Sequence, residues 1–377
     1  MVLMIWINDF WTLSEVLKWL HHAAADEDYL GFSDVIFPLF LFIVGLSIPY
    51  TIEHRISKNE SPLLIMKHIL IRSGSLLLIG IYMVNYETIH HESVLIGKYW
   101  WGIFLASSVV LIWTNWKRSP VSSRWHLPLQ VSGFFILLYL AISYKGGGTG
   151  TSWMTTQWWG ILGLIGWAYL ANALAFLLFR GNILLMALLW LSFNTLAVLH
   201  HSGMSIEAGG WLSYFSTIYT GTIPAFTCAG ILSTLVFRYV SNKSEKKVLI
   251  TLIVLGVLNI VFGLITRQYW GISKVLGTPS WLSICTGIGF FSFVLLYYLS
   301  DIKKKTKWAR IFAPAGTATL TCYMIPYFIY PLREITHFRI PDMLNVGIFG
   351  LIGSAIFALL VVLFTGLLER RGYKLKL

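Results

Sequence analysis

The residues of this chain best suited to chemistry are Asn8, Asp9, His22 and Asp34, all within its first 34 positions. A histidine accepts a proton at neutral pH, a carboxylate can orient it, and the Asn8 amide can donate hydrogen bonds to a developing oxyanion. Base, orienting carboxylate and oxyanion donor together suit acyl transfer. Each residue also has a plainer reading. Asp34 stands where an apolar helix begins, so the positive helix end favours its charge, and Ser33 can act as the cap. Histidines are common at membrane interfaces. Neighbouring side chains such as His21 and His22 point about 100° apart on a helix, a poor geometry for one ion, so no metal is expected. Phosphate loops, zinc-protease helices and nucleophile elbows are absent.

The elements that must position these groups are membrane helices. Of 377 residues, 56% are hydrophobic and 12% charged, about half the charge of an ordinary soluble domain. Apolar runs near 1–10, 33–53, 62–86, 99–115, 126–143, 156–178, 182–200, 217–238, 247–266, 277–300, 309–330 and 343–368 predict an all-α, polytopic protein. We expect about 11–12 transmembrane helices in one integrated domain, 1–377, with Gly221 and Pro224 interrupting the eighth span. Ten residues of helix rise about 15 Å, half the hydrocarbon thickness, so the first span is short. Either its helix continues to about Leu20 or the chain starts late; the second is preferred.

The net charge of +12 is spread over short loops with no basic-aromatic face, so no nucleic-acid partner is expected. Alternate segments hold 21 and 7 of the 28 Lys and Arg residues, which places both termini in the cytoplasm of an inner-membrane protein. His22 then lies on the outer side, with six of the other nine histidines: 21, 90, 91, 200, 201 and 337. Cys228, Cys285 and Cys322 fall inside predicted spans and read as packing residues.

Several runs carry a family likeness. Asn8, then His22-Ala23, then Asp34-Val35-Ile36-Phe37-Pro38 and the apolar run to Gly45 resemble the opening of the heparan-α-glucosaminide N-acetyltransferase family, bacterial relatives included. Arg72-Ser73 with Leu76 to Gly80, Trp158 to Gly163, Ser273-Lys274 with Thr278-Pro279-Ser280-Trp281, and Ala315-Gly316 to Tyr323 are similar too. The likeness thus spans nearly the whole chain, and its first motif is the most specific. Three features depart from the pattern. An upstream Ser-Leu-Asp stretch is missing, Ala318 stands where relatives often have asparagine, and an acidic loop before the eighth span is not recognisable.

The resemblance implies a transmembrane acetyltransferase that moves an acetyl group from cytoplasmic acetyl-CoA to a glucosamine-type amine at the outer face. It gives the catalytic role to His22 rather than His21, with Asn8 and Asp34 beside it. Asp9, Asp28, Lys274 and Trp281 are the expected sugar contacts, Asp28 as part of an acidic, amine-attracting rim. Arg72 and Lys67 are the expected partners of the coenzyme A phosphates, although both equally suit headgroup anchoring. A homodimer is implied by the likeness alone. The competing reading is a sugar or lipid transporter or flippase, against which the spans carry almost no ionisable residues.

Overall fold

The computed structural model describes residues 1–204, 209–241 and 244–377; Lys243, one of the counted loop cations, lies outside them. The structure is 73% helical, with no strand among the described residues. In chain order the helices are α1 Val2–Asn8, α2 Phe32–Ser57, α3 Pro62–Glu87, α4 Lys98–Trp113, α5 His126–Ser143, α6 Ile161–Leu178, α7 Ile183–His201 and α8 Ser216–Tyr219. They continue with α9 Thr222–Ser241, α10 Glu245–Trp270, α11 Pro279–Tyr297, α12 Ala313–Thr317, α13 Thr319–Met324, α14 Pro326–Ile335 and α15 Gly347–Arg370.

Among the described residues, nine helices are long and apolar enough to cross a bilayer, and α4 is a shorter apolar one. The chain is an all-α, multi-pass membrane protein. Two expected spans take another form. The first stops at Asn8 and passes into the turn Phe10–Thr12, so the helix does not continue to Leu20. The stretch expected at 309–330 is broken into α12, α13 and α14, with Pro314 and Pro326 opening two of the pieces. Proline lacks the N–H that would continue the helical ladder. The expected interruption of the eighth span falls at Gly221, whose φ of 78° is open to glycine, between α8 and α9.

The chain divides into two compact units, each discontinuous in sequence. One comprises Met1–Leu17, Leu78–Gly160 and Thr306–Leu377. Within it, α1 lies along α15: the Trp6 indole donates to Leu351 O at 3.1 Å and Ser354 Oγ to Trp6 O at 3.3 Å. Ile5, Cys322, Ile325, Ala358, Val361 and Val362 form an apolar core there.

The other unit comprises Lys18–Leu77 and Ile161–Lys305. Its centre is the crossing of α2 and α9. A methyl group on Gly45 would lie 1.9 Å from Thr227 O, and one on Gly230 2.0 Å from Phe42 O, so both backbones meet because neither residue has a side chain. Two hydroxyls bridge the same crossing, Thr227 to Leu41 O at 3.2 Å and Thr234 to Leu46 O at 3.0 Å. In lipid, where apolar surface gains little by leaving one hydrocarbon for another, such close contact and hydrogen bonding hold helices together. This packing anchors α2, which carries Asp34 in its first turn.

Candidate active site

The start of α2 gathers a loop and a carboxylate. Asp34, in the first turn, is 1% exposed and accepts from three N–H groups. His22 Nδ1 lies 2.7 Å from its Oδ1, while the Ala23 and Gly31 amides reach Oδ2 at 3.0 and 3.1 Å. A carboxylate only accepts, so Nδ1 carries the proton and the Nε2 lone pair remains available. The His22 side chain is 43% exposed, so the ring can be reached from outside the fold.

The loop Lys18–Gly31 is folded back on α2 by further backbone bonds, Phe32 N to Trp19 O at 2.7 Å and Ser33 N to Leu20 O at 3.3 Å. Gly31 makes the close approach possible: a Cβ there would sit 1.8 Å from the His21 carbonyl oxygen. Ser33 is not the cap expected from sequence. Its hydroxyl donates to Leu20 O at 2.5 Å, and Gly31 occupies the cap position.

The second wall is the loop between α10 and α11. Lys274 Nζ stands 3.1 Å from His22 Nδ1, 3.4 Å from Nε2 and 4.0 Å from Asp34 Oδ1. Because Nδ1 is committed to Asp34, the near-equal distances put the ammonium beside the ring rather than on a lone pair. Burial lowers the Lys274 pKa, and the Asp34 charge opposes that shift. The lysine loop is held to the histidine loop by Ser273 Oγ to Ala25 O at 3.1 Å and Tyr29 N to Ile272 O at 3.2 Å.

The sugar contacts expected from sequence are placed unevenly. Lys274 reaches His22. Asp28 is half exposed, but its carboxylate already accepts from Arg267 Nε at 2.9 Å and Ile272 N at 2.7 Å. Burial works against the charge, yet those two donors hold the Asp28 carboxyl below its ordinary pKa. Glu27 is ion-paired with Lys18, so two of the three acids tie the loop down rather than forming an open rim. Trp281 lies beneath the site, 1% exposed, with its indole donating to Asp34 O at 3.1 Å and its ring edge-on to Phe226. It supports Asp34 from the buried side.

Asn8 and Asp9 belong to the other unit. Asn8 is the last residue of α1 and partly exposed. Asp9 is 7% exposed and accepts from the Tyr330 hydroxyl at 2.8 Å. On α3, Lys67 is exposed, while Arg72 is half-buried with its guanidinium 4.5 Å from the Tyr169 ring centre. Five helical positions turn the two about 140° apart, so they do not form one phosphate clamp. Arg72 also sits about 15 Å inside α3, deeper than the headgroup level expected for it.

Three contributors were missed in the sequence: Gly31, the Ala23 amide and Arg267. Only Gly31 left a signal, three residues before an acid at a helix start, the spacing at which an N3 side chain reaches back to the cap N–H. Among the described residues no three His, Cys, Asp or Glu side chains converge as metal ligands. Comparison with protein-family models finds no match, and comparison with curated protein sequences finds none either.

Proposed function

We propose that this protein is a membrane-bound acetyltransferase that moves an acetyl group from acetyl-CoA to the amine of a glucosamine-type sugar. The observation that supports it best is the His22–Asp34 pair, with Nδ1 held at 2.7 Å and the Lys274 ammonium beside the ring, 3.4 Å from Nε2. In this reading Nε2 takes a proton from the attacking amine. The amine nitrogen bonds to the thioester carbonyl carbon, the C–S bond breaks, and the proton passes to the departing sulfur. Asp34 stabilises the imidazolium formed on the way. The loop charges support an inner-membrane protein with acetyl-CoA on the cytoplasmic side and the sugar on the other.

A variant of the same chemistry uses Nε2 as the nucleophile, forming an acetyl-histidine that the amine then attacks. Initial-rate kinetics separate the two, since parallel double-reciprocal lines select the acetyl-histidine route. The decisive test is His22→Ala, assayed with acetyl-CoA and glucosamine in membranes where folding is checked by thermal unfolding. We expect transfer to disappear. A folded variant with undiminished transfer removes the proposal. Wild-type protein that transfers nothing but moves labelled sugar across vesicles favours a transporter instead.

A further inference from the structure

The unit built from α1, α4, α5 and α12–α15 holds an apolar cavity of about 730 Å³, within the size range of small-molecule sites. Its wall is almost wholly hydrocarbon, with Ile329, Phe328, Val361 and Phe364 prominent. Besides Tyr373, the polar side chains on it are already engaged. Thr114 Oγ1 donates to Val110 O at 2.6 Å, Thr321 Oγ1 accepts from Leu375 N at 2.9 Å, and Lys374 Nζ pairs with Glu369 at 2.8 Å. A polar ligand would find few partners inside, and a hydrocarbon chain needs none. Leu360 and Phe364 are 57% and 48% exposed, so the wall is open on its flank.

One end is chemically different. The tail after α15 folds back on the end of α4, through Asn115 N to Lys374 O at 2.8 Å and Lys376 N to Trp113 O at 2.7 Å. A methyl group on Gly372 would lie 2.1 Å from Arg118 O, so this join is tight. It brings Lys117, Arg118, Arg370, Arg371 and Lys376, all exposed, to the end where Lys374 lines the cavity. Glu369 is the only acid within those joined segments, and Lys374 and Thr317 already hold it.

We propose that this cavity is a binding site for one anionic phospholipid, an acyl chain in the apolar space and the phosphate on the basic end. Basic pockets between transmembrane helices take acidic headgroups, and each lysine or arginine near the surface adds about fivefold to the affinity. The site shares no residue with the one around His22.

The test uses the full chain reconstituted in vesicles of equal phosphatidylglycerol and phosphatidylcholine with matched palmitoyl chains. The protein is then transferred to detergent and its retained lipid counted by native mass spectrometry. We expect one retained phosphatidylglycerol and little phosphatidylcholine. Ile329→Trp, at a 37% exposed wall position, narrows the space and lowers retention severalfold. Arg118→Gln with Arg371→Gln leaves the wall intact and lowers the preference for phosphatidylglycerol by about 25-fold. Equal retention of both lipids, retention unchanged in Ile329→Trp, or a preference unchanged in the double variant would each overturn the proposal. Displacement of the lipid by palmitoyl-CoA at equal concentration would overturn it as well, by identifying the occupant as an acyl donor.

Discussion

Asp34 and Asp9 are the same residue type, both nearly buried, yet their surroundings give them opposite uses. Asp34 opens a 26-residue helix, where the positive end favours a carboxylate, and it receives three N–H donors including a histidine. Asp9 follows the last residue of a seven-residue helix, where the dipole disfavours a negative charge, and its principal partner is a phenol. Burial alone therefore does not mark a working acid. What distinguishes Asp34 is a set of donors that fixes the carboxylate, one of them a histidine with the Lys274 ammonium beside its ring.

Exchanging each acid for its amide breaks this comparison most directly. Asp34→Asn is expected to reduce acetyl transfer by about a hundred- to ten-thousand-fold, because the ring loses the partner that sets its tautomer. It also turns an NH2 group toward N–H donors, which lowers stability by about 1–3 kcal/mol, readable by thermal unfolding. Asp9→Asn keeps an acceptor for Tyr330 and is expected to change stability by about 1 kcal/mol or less, with transfer within a few-fold of wild type. Equal losses in the two variants would abolish the distinction.

Lys274 sharpens the comparison through pH. Its pKa lies below the usual 10.5 in the folded protein, so between the folded value and 10.5 the unfolded chain binds the extra proton. Stability then rises with pH across that window, and the penalty of the buried ammonium persists below it. Lys274→Met should be the more stable protein at neutral pH, with a flatter unfolding profile toward pH 10.5. An unchanged slope would show that the ammonium is not held against the site as described.

The smallest effect is expected from the loop tie. Arg267→Gln removes a half-exposed pair with Asp28 and should cost no more than about 0.5–1 kcal/mol. Asp28 has a lowered pKa, so the tie is intact at neutral pH and is lost on acidification through that value. The wild-type advantage over Arg267→Gln should shrink accordingly in acid unfolding.

Much of the architecture is legible in the sequence because a membrane helix is a local feature. An apolar run of sufficient length must satisfy its own backbone, so 62–86, 126–143 and 343–368 read almost as Pro62–Glu87, His126–Ser143 and Gly347–Arg370 form. Gly221 announced its own break in the same way. His22 and Asp34, twelve positions apart, could be named as candidates from residue type alone.

Their geometry could not be named so. The 2.7 Å contact depends on Gly31 allowing the loop to lie on the His21 carbonyl. Lys274 comes from 252 positions away, and Trp281 donates to the Asp34 carbonyl from beneath. Asp28, an open acid by residue type, is spent on a cation 239 positions distant. Local sequence sets which segments are helical, because their hydrogen bonds close within a few residues. Which acids are free, and which histidine is oriented, is settled by partners that only the packing of distant segments supplies.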